Sequence, residues 1–457
     1  MNRTAVLNVV GLTPELIGDH TPNLKKWFDS GTMTPVESML PAVTCSVQAT
    51  YLTGVMPNEH GIVGNGWYFR EMDEIKFWRQ SNKLVQSQKI WERLKVENSD
   101  FTCANLFWWY NMNSTVDYLI TPRPIYRSDG VKIPDVYTKP DTLRDELQAK
   151  LGQFPLFNFW GPNTKIESSE WIADSAIYTE NEYSPTLSLV YLPHLDYNLQ
   201  RVGPGHPDVA KDLEEIDRVC GKLLDFYEEK GIRVIVLSEY GIDAADRPVH
   251  LNRVLRKEGY ITVREEMGGE ILIPGTSRAF AVADHQIAHI YIENTDDIPH
   301  IKKLIEQVPG VDRVLGEEGK KEYKLDHRRS GELVAIAEPD AWFTYYYWLD
   351  DTKAPDFAPT VDIHTKPGYD PAELLIDPAI RLPMVKAGLR LLQKKLGFRY
   401  KMDLIPIDGS GVKGSHGRIP DSLEKGPLVA THQTNLLDGE SIKPIDIYDL
   451  IYRHVTQ

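Results

Sequence analysis

The chain has 457 residues, of which 42% are hydrophobic and 26% are charged, so it can bury a large core and reads as an ordinary globular protein. Its net charge of −15 argues against a surface that binds nucleic-acid polymers, because such a surface needs a basic face. Only three cysteines are present, too few and too scattered for a disulfide framework, which indicates a reducing compartment.

The start of the chain predicts no targeting segment. The first apolar run, residues 5–10, is too short and too rich in β-branched residues for a signal peptide. The sequence also contains no apolar run of about 18 residues, so no membrane span and no membrane partner are predicted. We therefore expect a cytoplasmic protein, whose oligomeric state the sequence leaves open.

The first predicted element is a buried strand. Residues 5–10 are almost continuously apolar and end at Gly11, after which Thr13 and Pro14 favour the start of a helix. A strand, a glycine turn and a helix in this order are typical of a doubly wound sheet. Asn8 lies inside the strand, where it is either a hydrogen-bonded buried amide or an amide ligand pointing toward a site.

A second stretch, residues 41–54, offers a hydroxyl at a loop-to-helix junction. Thr44 stands at that junction, where free backbone N–H groups of a helix start can receive an anion. Taken alone, Thr44 would be read as an N-cap residue. Gln48 follows one turn later, and residues 55–67 then form a long glycine-rich turn.

Two further predicted strands are each followed by polar residues. After residues 185–192 come Asp196 and Gln200, and the buried strand that begins at 233 runs into Glu239 and Tyr240. Ligand sites of open α/β sheets lie beyond the carboxyl ends of parallel strands, so these residues are candidates for such a site. Between them, residues 209–230 show the spacing of an amphipathic helix.

The sequence texture changes between residues 246 and 345. Strands are predicted near 277–283 and 289–292, a helix at 301–308 and a returning strand at 332–337. This pattern indicates a small α+β unit inserted into a core made of residues 1–245 and 346–457.

The last segments supply two kinds of candidate ligand. Asp362 and His364 alternate onto one face if their segment is extended, so they are a possible compensating metal pair. His416 lies between small residues in a predicted loop, which suits a ligand better than a core histidine.

Taken in order, these motifs resemble the type I phosphodiesterase/nucleotide pyrophosphatase branch of the alkaline phosphatase superfamily. The resemblance rests on Thr44 with Gly54 ten residues later, on residues 57–62, on a loop at 196–204 that begins with Asp196 and contains Gln200, on the turn at 238–242, and on a loop at 414–417 that contains His416. It implies an α/β, alkaline-phosphatase-like fold: a mostly parallel, doubly wound sheet with helices on both faces and a small cap insertion.

The resemblance also implies a chemistry, in which two divalent metal ions, zinc in the family, activate a threonine nucleophile. Carried over to this chain, the nucleophile is Thr44. The implied metal ligands are Asp196, Gln200 and His416 for one ion, and Glu239 with Asn8, beside Thr44, for the other. Tyr240 and Gln48 are implied to contact the substrate, a small phosphorylated or phosphonate compound.

The chain departs from the family pattern at several of these positions. Val10 stands where the family has an aspartate ligand, Val47 where it has a phosphate-binding asparagine, and Gln200 and Tyr240 each replace a histidine. Two hypotheses follow. The first is a divergent hydrolase of phosphodiester, pyrophosphate or phosphonate bonds that uses fewer or harder metal ions. The second is a non-catalytic paralogue that acts as a binding or scaffold protein.

Overall fold

A computed structural model describes residues 1–128 and 131–457, and its strands form two main sheets. In chain order these strands are β1 (Thr4–Val9), β2 (Thr32–Pro35), β3 (Cys103–Leu106), β4 (Tyr118–Pro122), β5 (Val136–Lys139), β6 (Leu187–Leu192), β7 (Arg233–Leu237), β8 (Ala279–Asp284), β9 (Ile287–Ile292), β10 (Val311–Leu315), β11 (Leu333–Ala337) and β12 (Leu428–Thr431). Shorter strands pair as two-stranded ribbons: Gly66–Phe69 with Glu74–Phe77, Ile125–Tyr126 with Lys132–Ile133, Asp243–Ala244 with Gly414–Ser415, Arg247–Val249 with Ala341–Phe343, and Val263–Glu266 with Gly269–Leu272.

The larger sheet has the strand order β2-β12-β7-β1-β6-β3-β4-β5. Its five central strands, from β7 to β4, are parallel, whereas β12 and β5 run antiparallel to their neighbours. Every residue of β1 is buried, as the continuous apolar run predicts for a central parallel strand. The predicted α/β class with a mostly parallel sheet is therefore confirmed.

Two groups of helices pack against this sheet. The helices are α1 (Pro22–Asp29), α2 (Thr44–Thr53), α3 (Pro57–His60), α4 (Ile90–Glu97), α5 (Thr142–Leu151), α6 (Leu156–Phe159), α7 (Glu167–Tyr183), α8 (His194–Val202), α9 (Asp208–Glu229), α10 (Leu251–Lys257), α11 (Ile298–Glu306), α12 (Glu317–Glu322), α13 (Pro383–Lys395) and α14 (Asp446–Thr456). One group gathers α1 and α5 to α9, and the other joins α2, α4 and α14. The apolar stripe of α9 that the sequence predicts is buried in the main core.

The smaller sheet has the order β8-β9-β11-β10, with neighbouring strands antiparallel and α11 packed against it. These elements lie where the sequence predicts two strands, a helix and a returning strand, and β10 is an addition. At the ends of the segment, Arg247–Val249 pairs in parallel with Ala341–Phe343, so the chain enters and leaves the unit side by side. The domain limits at 246 and 345 stay a prediction.

Two local expectations are wrong. Asp196 and Gln200 lie on a helix, α8, rather than in a loop, because α8 begins directly after the β6 strand. The segment that contains Asp362 and His364 is a turn rather than an extended stretch, since the N–H groups of Thr365 and Lys366 both bond the carbonyl of Asp362. Among the described residues, we find no helix with the length and apolar character that crossing a bilayer would require.

Candidate functional site

The parallel strands deliver the first residues of the site to one edge of the sheet. Asn8 pairs in register with Leu237 of β7, and Glu239 follows two residues later, so the two polar side chains meet beyond the strand end. Asp196 reaches the same edge from the first turn of α8, which follows β6. This is the edge at which open parallel sheets form their ligand sites.

Thr44 is the first residue of α2 and meets the phenol of Tyr240. The Thr44 Oγ1 atom lies 3.0 Å from the Tyr240 hydroxyl, which donates to Asp196 Oδ1 at 3.2 Å. Either hydroxyl can be the donor in the first contact, and when Tyr240 gives its one hydrogen to Asp196, Thr44 is the donor to Tyr240. The ring of Tyr240 stacks on His416, with centroids 3.7 Å apart. We call Thr44, Asp196, Glu239, Tyr240 and His416 the active-site cluster.

Glu239 is held by amide groups. Asn8 Nδ2 and Gln48 Nε2 both donate to Glu239 Oε1, each at 2.5 Å. The orientation of the Gln48 amide is fixed, because its oxygen accepts the backbone N–H of Trp109 at 2.7 Å. Its NH₂ group, and not its oxygen, therefore faces the carboxylate of Glu239.

Asp196 and Gln200 lie one turn apart on α8. Gln200 Nε2 donates to Asp196 Oδ2 at 2.7 Å, and Gln200 Oε1 accepts from the Tyr369 hydroxyl at 2.8 Å. His416 Nε2 lies 3.8 Å from Asp196 Oδ1, while its Nδ1 lies 2.7 Å from the carbonyl of Ala42. An imidazole that donates from Nδ1 to a carbonyl presents an unprotonated Nε2, the form that binds a metal.

Two neighbours of His416, namely His285 and Asp284, are not among the site residues that the sequence predicts. The ring of His285 stacks on His416 at 3.8 Å and on Tyr369 at 3.5 Å. His285 Nδ1 lies 2.8 Å from Asp284, whose carboxylate also accepts the backbone and side-chain N–H groups of Asn65. The missed signal is the adjacent Asp-His pair between two predicted strands; nothing local indicates that this turn reaches the sheet edge.

Burial dominates the electrostatics of the site. Desolvation raises the pKa of Asp196 to about 7 and that of Glu239 to about 8, against the lowering effect of the hydrogen bonds they accept. Desolvation raises the pKa of Asp284 to about 6. The pKa of His416 is lowered well below its ordinary value by burial and by the neighbouring His285. The carboxyl groups of Asp196 and Glu239 therefore have pKa values near neutral pH.

The candidate pair Asp362 and His364 makes other contacts. The backbone N–H of Asp362 donates to Glu373, and His364 Nδ1 lies 3.5 Å from the carbonyl of Phe77. In residues 1–128 and 131–457, neither side chain belongs to a group of three or more His, Cys, Asp or Glu ligand atoms that lie within 4.8 Å of one another. Their role as compensating ligands stays a prediction.

The donors for a metal ion differ between two positions. Asp196 Oδ1 and His416 Nε2, 3.8 Å apart, can share one ion with bonds of about 2.0–2.2 Å, and Gln200 would offer its oxygen only if its amide turned. At the second position, Tyr240 gives a phenol, Val10 has no donor atom, and two NH₂ groups face Glu239 Oε1. Glu239 Oε2 and Asn8 Oδ1 have no hydrogen-bond partner among the described residues, so these two oxygens are the donors left for a second ion.

Trp109 contacts the site through its backbone N–H, which donates to Gln48, and its ring lies 4.9 Å from that of Trp78. Thr44 is 3% exposed, and the other members of the active-site cluster are 2–8% exposed. The site is therefore buried.

Comparison with known proteins gives a consistent result. The family model described as type I phosphodiesterase / nucleotide pyrophosphatase matches residues 4–370. Murine ectonucleotide pyrophosphatase/phosphodiesterase 5, solved with AMP, superimposes with a TM-score of 0.61 at 14% identity, covering 100% of this chain and 95% of that one. Phosphonoacetate hydrolase from Sinorhizobium meliloti, solved with phosphonoformate, gives a TM-score of 0.63 at 16% identity and the same coverage. The predicted alkaline-phosphatase-like fold is thereby confirmed.

Curated relatives match over shorter stretches. An uncharacterized pyrophosphatase/phosphodiesterase of Schizosaccharomyces pombe is 24% identical over 232 residues, which are 49% of this chain and 41% of the relative. Ectonucleotide pyrophosphatase/phosphodiesterase family member 1 of Mus musculus is 23% identical over 249 residues, 52% of this chain and 24% of the relative. The matched stretch is thus less than half the length of either relative.

Proposed function

Because the chain belongs to the type I phosphodiesterase/nucleotide pyrophosphatase family, we propose that it hydrolyses a phosphodiester, pyrophosphate or phosphonate bond of a small substrate, with Thr44 as nucleophile. The observation that carries the proposal is the hydrogen-bonded chain from Thr44 through Tyr240 to Asp196. It joins a helix-start hydroxyl to a buried carboxylate at the edge of the sheet where ligands bind.

The chain of hydrogen bonds prepares the Thr44 hydroxyl for attack. When its hydrogen is directed to Tyr240, the lone pairs of Oγ1 are free to approach a phosphorus atom. The start of α2 adds backbone N–H groups that favour an anionic phosphoryl group. Asn65 supports this helix start by accepting the N–H of Cys45 at 3.0 Å.

We further propose that one divalent cation takes part, held by Asp196 and His416, with Gln200 beside it. This is fewer than the family pair, and the amide and carboxylate oxygens would favour a harder ion than the usual zinc. When bound, such an ion supplies charge that stabilises a phosphoryl oxygen. Tyr240 then orients Thr44 through a hydrogen bond, and Gln48 holds Glu239 in the same way.

The substrate class and the compartment are proposals as well. AMP and phosphonoformate are the ligands named for the two superimposed structures, and they suggest a small phosphorylated or phosphonate substrate here. The net charge of −15 argues against nucleic-acid polymers. Cys45, Cys103 and Cys220 are unpaired and buried, which supports the expected cytoplasmic location.

A second candidate is a binding protein without turnover. It is favoured by the neutral amides that face Glu239 and by the burial of Thr44. Such a protein would bind a phosphorylated compound without cleaving it.

One set of assays separates these functions. Turnover of an aryl phosphodiester and an aryl phosphonate is measured for the wild type, Thr44→Ala, Thr44→Ser and the control Thr53→Ala, beside elemental analysis of bound metal. Thr53 ends the same helix, and its hydroxyl donates to the Ala49 carbonyl. We expect Thr44→Ala to lose on the order of 10³-fold or more, and Thr53→Ala to stay near wild type.

The possible failures of these assays differ. Turnover that survives Thr44→Ala rejects the nucleophile, and a metal content that His416→Ala leaves unchanged rejects the cation site beside Thr44. Absence of turnover with retained AMP binding supports the second candidate.

A further inference from the structure

Three metal-binding side chains meet outside the active-site cluster, between the first residue of α8 and the first half of α9. His194 Nε2 lies 3.2 Å from Glu215 Oε2 and 3.6 Å from Asp212 Oδ1. One ligand atom from each of the three residues lies within 4.8 Å of the other two. Asp212 and Glu215 are three residues apart on α9, so they project from the same side of that helix.

His194 is the unusual member of this cluster. Its side chain is 5% exposed, and neither ring nitrogen has a hydrogen-bond partner of acceptable geometry among the described residues. A buried polar group without a partner costs free energy, so a satisfied arrangement is expected. Its Nε2 lies within ion-pair distance of two carboxylate oxygens, Glu215 Oε2 and Asp212 Oδ1.

We propose that His194, Asp212 and Glu215 bind a divalent cation of the zinc class, at a site separate from the one beside Thr44. Ligands of a tetrahedral ion with bonds of about 2.0–2.1 Å stand about 3.3–3.4 Å apart. The two observed separations, 3.2 and 3.6 Å, bracket that value. One imidazole and two carboxylates form a donor set that borderline divalent ions accept, with water in the remaining position.

Two cationic side chains, Lys211 and Arg201, lie near these three ligands. Lys211 Nζ lies 3.4 Å from Oε1 of Glu215, the oxygen that does not face His194, and its side chain is largely exposed. Arg201 interacts electrostatically with Asp212, but its guanidinium donates to Thr164. Neither group satisfies the imidazole of His194.

An ion bound by His194, Asp212 and Glu215 would support catalysis by fixing the position of α8. His194 stands two residues before Asp196 on the first turn of α8. A cation that ties this turn to α9 would fix the direction of α8, and with it the positions of Asp196 and Gln200. In this account His194 is a positioning residue and contacts no substrate.

Metal content measured on the full chain tests the site. Protein stripped with a chelator is titrated with Zn²⁺ and with Co²⁺, whose visible absorption reports tetrahedral coordination. To silence the position beside Thr44, the titration is done in the His416→Ala background. Four proteins are compared: His416→Ala alone, and the same variant with His194→Gln, with Glu215→Gln, or with the control substitution His206→Gln. The exposed imidazole of His206 lies 3.6 Å from Asp208.

We expect one equivalent of tightly bound ion in the background protein and in the His206→Gln control. His194→Gln should abolish this ion binding. Glu215→Gln changes a partly exposed side chain and should weaken the binding at least tenfold. Ion binding that is equal in all four proteins overturns the proposal. So does a protonated His194 in imidazole NMR spectra without any ion uptake, since the cluster is then a simple ion pair.

Discussion

The active-site cluster and the cluster around Lys366 both contain buried carboxylates, yet the chain compensates them differently. In the active-site cluster, hydrogen bonds from a phenol and from amides reach the carboxylates, and no side chain with a full positive charge is among those donors. In the other, the ammonium of Lys366 lies 2.7 Å from Asp370 and 2.8 Å from Glu373, and all three side chains are at most 2% exposed.

The difference teaches what each cluster is suited for. Neutral donors leave the pKa of Asp196 and Glu239 raised to about 7 and about 8, so these groups exchange protons near neutral pH. In the cluster around Lys366, desolvation lowers the pKa of Lys366, but the attraction of the carboxylates of Asp370 and Glu373 outweighs it. The pKa of Lys366 is therefore raised, and its ammonium stays charged. The first cluster is suited to proton exchange near neutral pH, and the second ties together the buried turn from Lys366 to Glu373.

The largest expected effect on stability comes from removing the buried ammonium. Lys366→Met leaves Asp370 and Glu373 buried without a counter-charge, and we expect the free energy of unfolding to fall by about 3–5 kcal/mol. Urea denaturation measures it. The control is Lys353→Met, which removes an exposed pair with Glu265 and should cost less than about 1 kcal/mol. Equal costs for both variants would deny that the two kinds of ion pair differ.

Removing the phenol that links Thr44 to Asp196 tests the neutral compensation of the active-site cluster. Tyr240→Phe keeps the ring stacked on His416 but loses both hydrogen bonds, and we expect turnover to fall on the order of 10²-fold. The control Tyr345→Phe removes a buried hydroxyl that has no partner in the described part of the chain, and turnover should stay unchanged. Steady-state kinetics decide; an unaffected Tyr240→Phe would remove Tyr240 from the mechanism.

A smaller loss of stability is expected from the amide that holds Glu239. Gln48→Met has a similar shape but leaves the N–H of Trp109 and the carboxyl of Glu239 without this partner. We expect about 1–3 kcal/mol of destabilisation in urea. Gln393→Met, on the exposed face of α13, should stay within about 0.5 kcal/mol of the wild type. If the two glutamines behaved alike, the amide of Gln48 would not be a structural part of the site.

The smallest effect concerns a buried imidazole outside both clusters. Burial lowers the pKa of His454 to about 4, so the folded protein keeps it neutral while the unfolded chain binds a proton below pH 6.5. Stability from this group is present above pH 6.5 and is lost as the pH falls toward 4. Between pH 7 and pH 5 we expect a loss of about 1–2 kcal/mol in urea unfolding, which His454→Gln should reduce. An identical pH slope in the variant would contradict the assignment.

The sequence predicts the sheet and the general location of the site for physical reasons. The apolar runs of β1, β6 and β7 identify central parallel strands, and polar residues after such strands converge at one edge. Asn8, Asp196 and Glu239 therefore lie together in the structure, as their positions in the sequence indicate. The spacing of four between Asp196 and Gln200 is also that of α8, a helical signal that the loop prediction overlooked.

The sequence does not predict which atoms face one another. The direction of the Gln48 amide depends on the backbone N–H of Trp109, 61 residues away, and the Tyr240 hydroxyl donates to Asp196. The turn at His285 reaches His416 only because the smaller sheet is packed against the larger one. Such contacts are set by tertiary packing, which no local pattern encodes.

The contact between Trp109 and Gln48 predicts an optical signal of ligand binding. Indole fluorescence depends on the surroundings of the ring; the backbone N–H of Trp109 donates to Gln48, and the ring of Trp109 lies 4.9 Å from that of Trp78. We expect a ligand that displaces Gln48 to move Trp109 and so to change the emission of this ring pair. Because the chain has ten tryptophans, this change is read as a difference from the spectrum of the ligand-free protein.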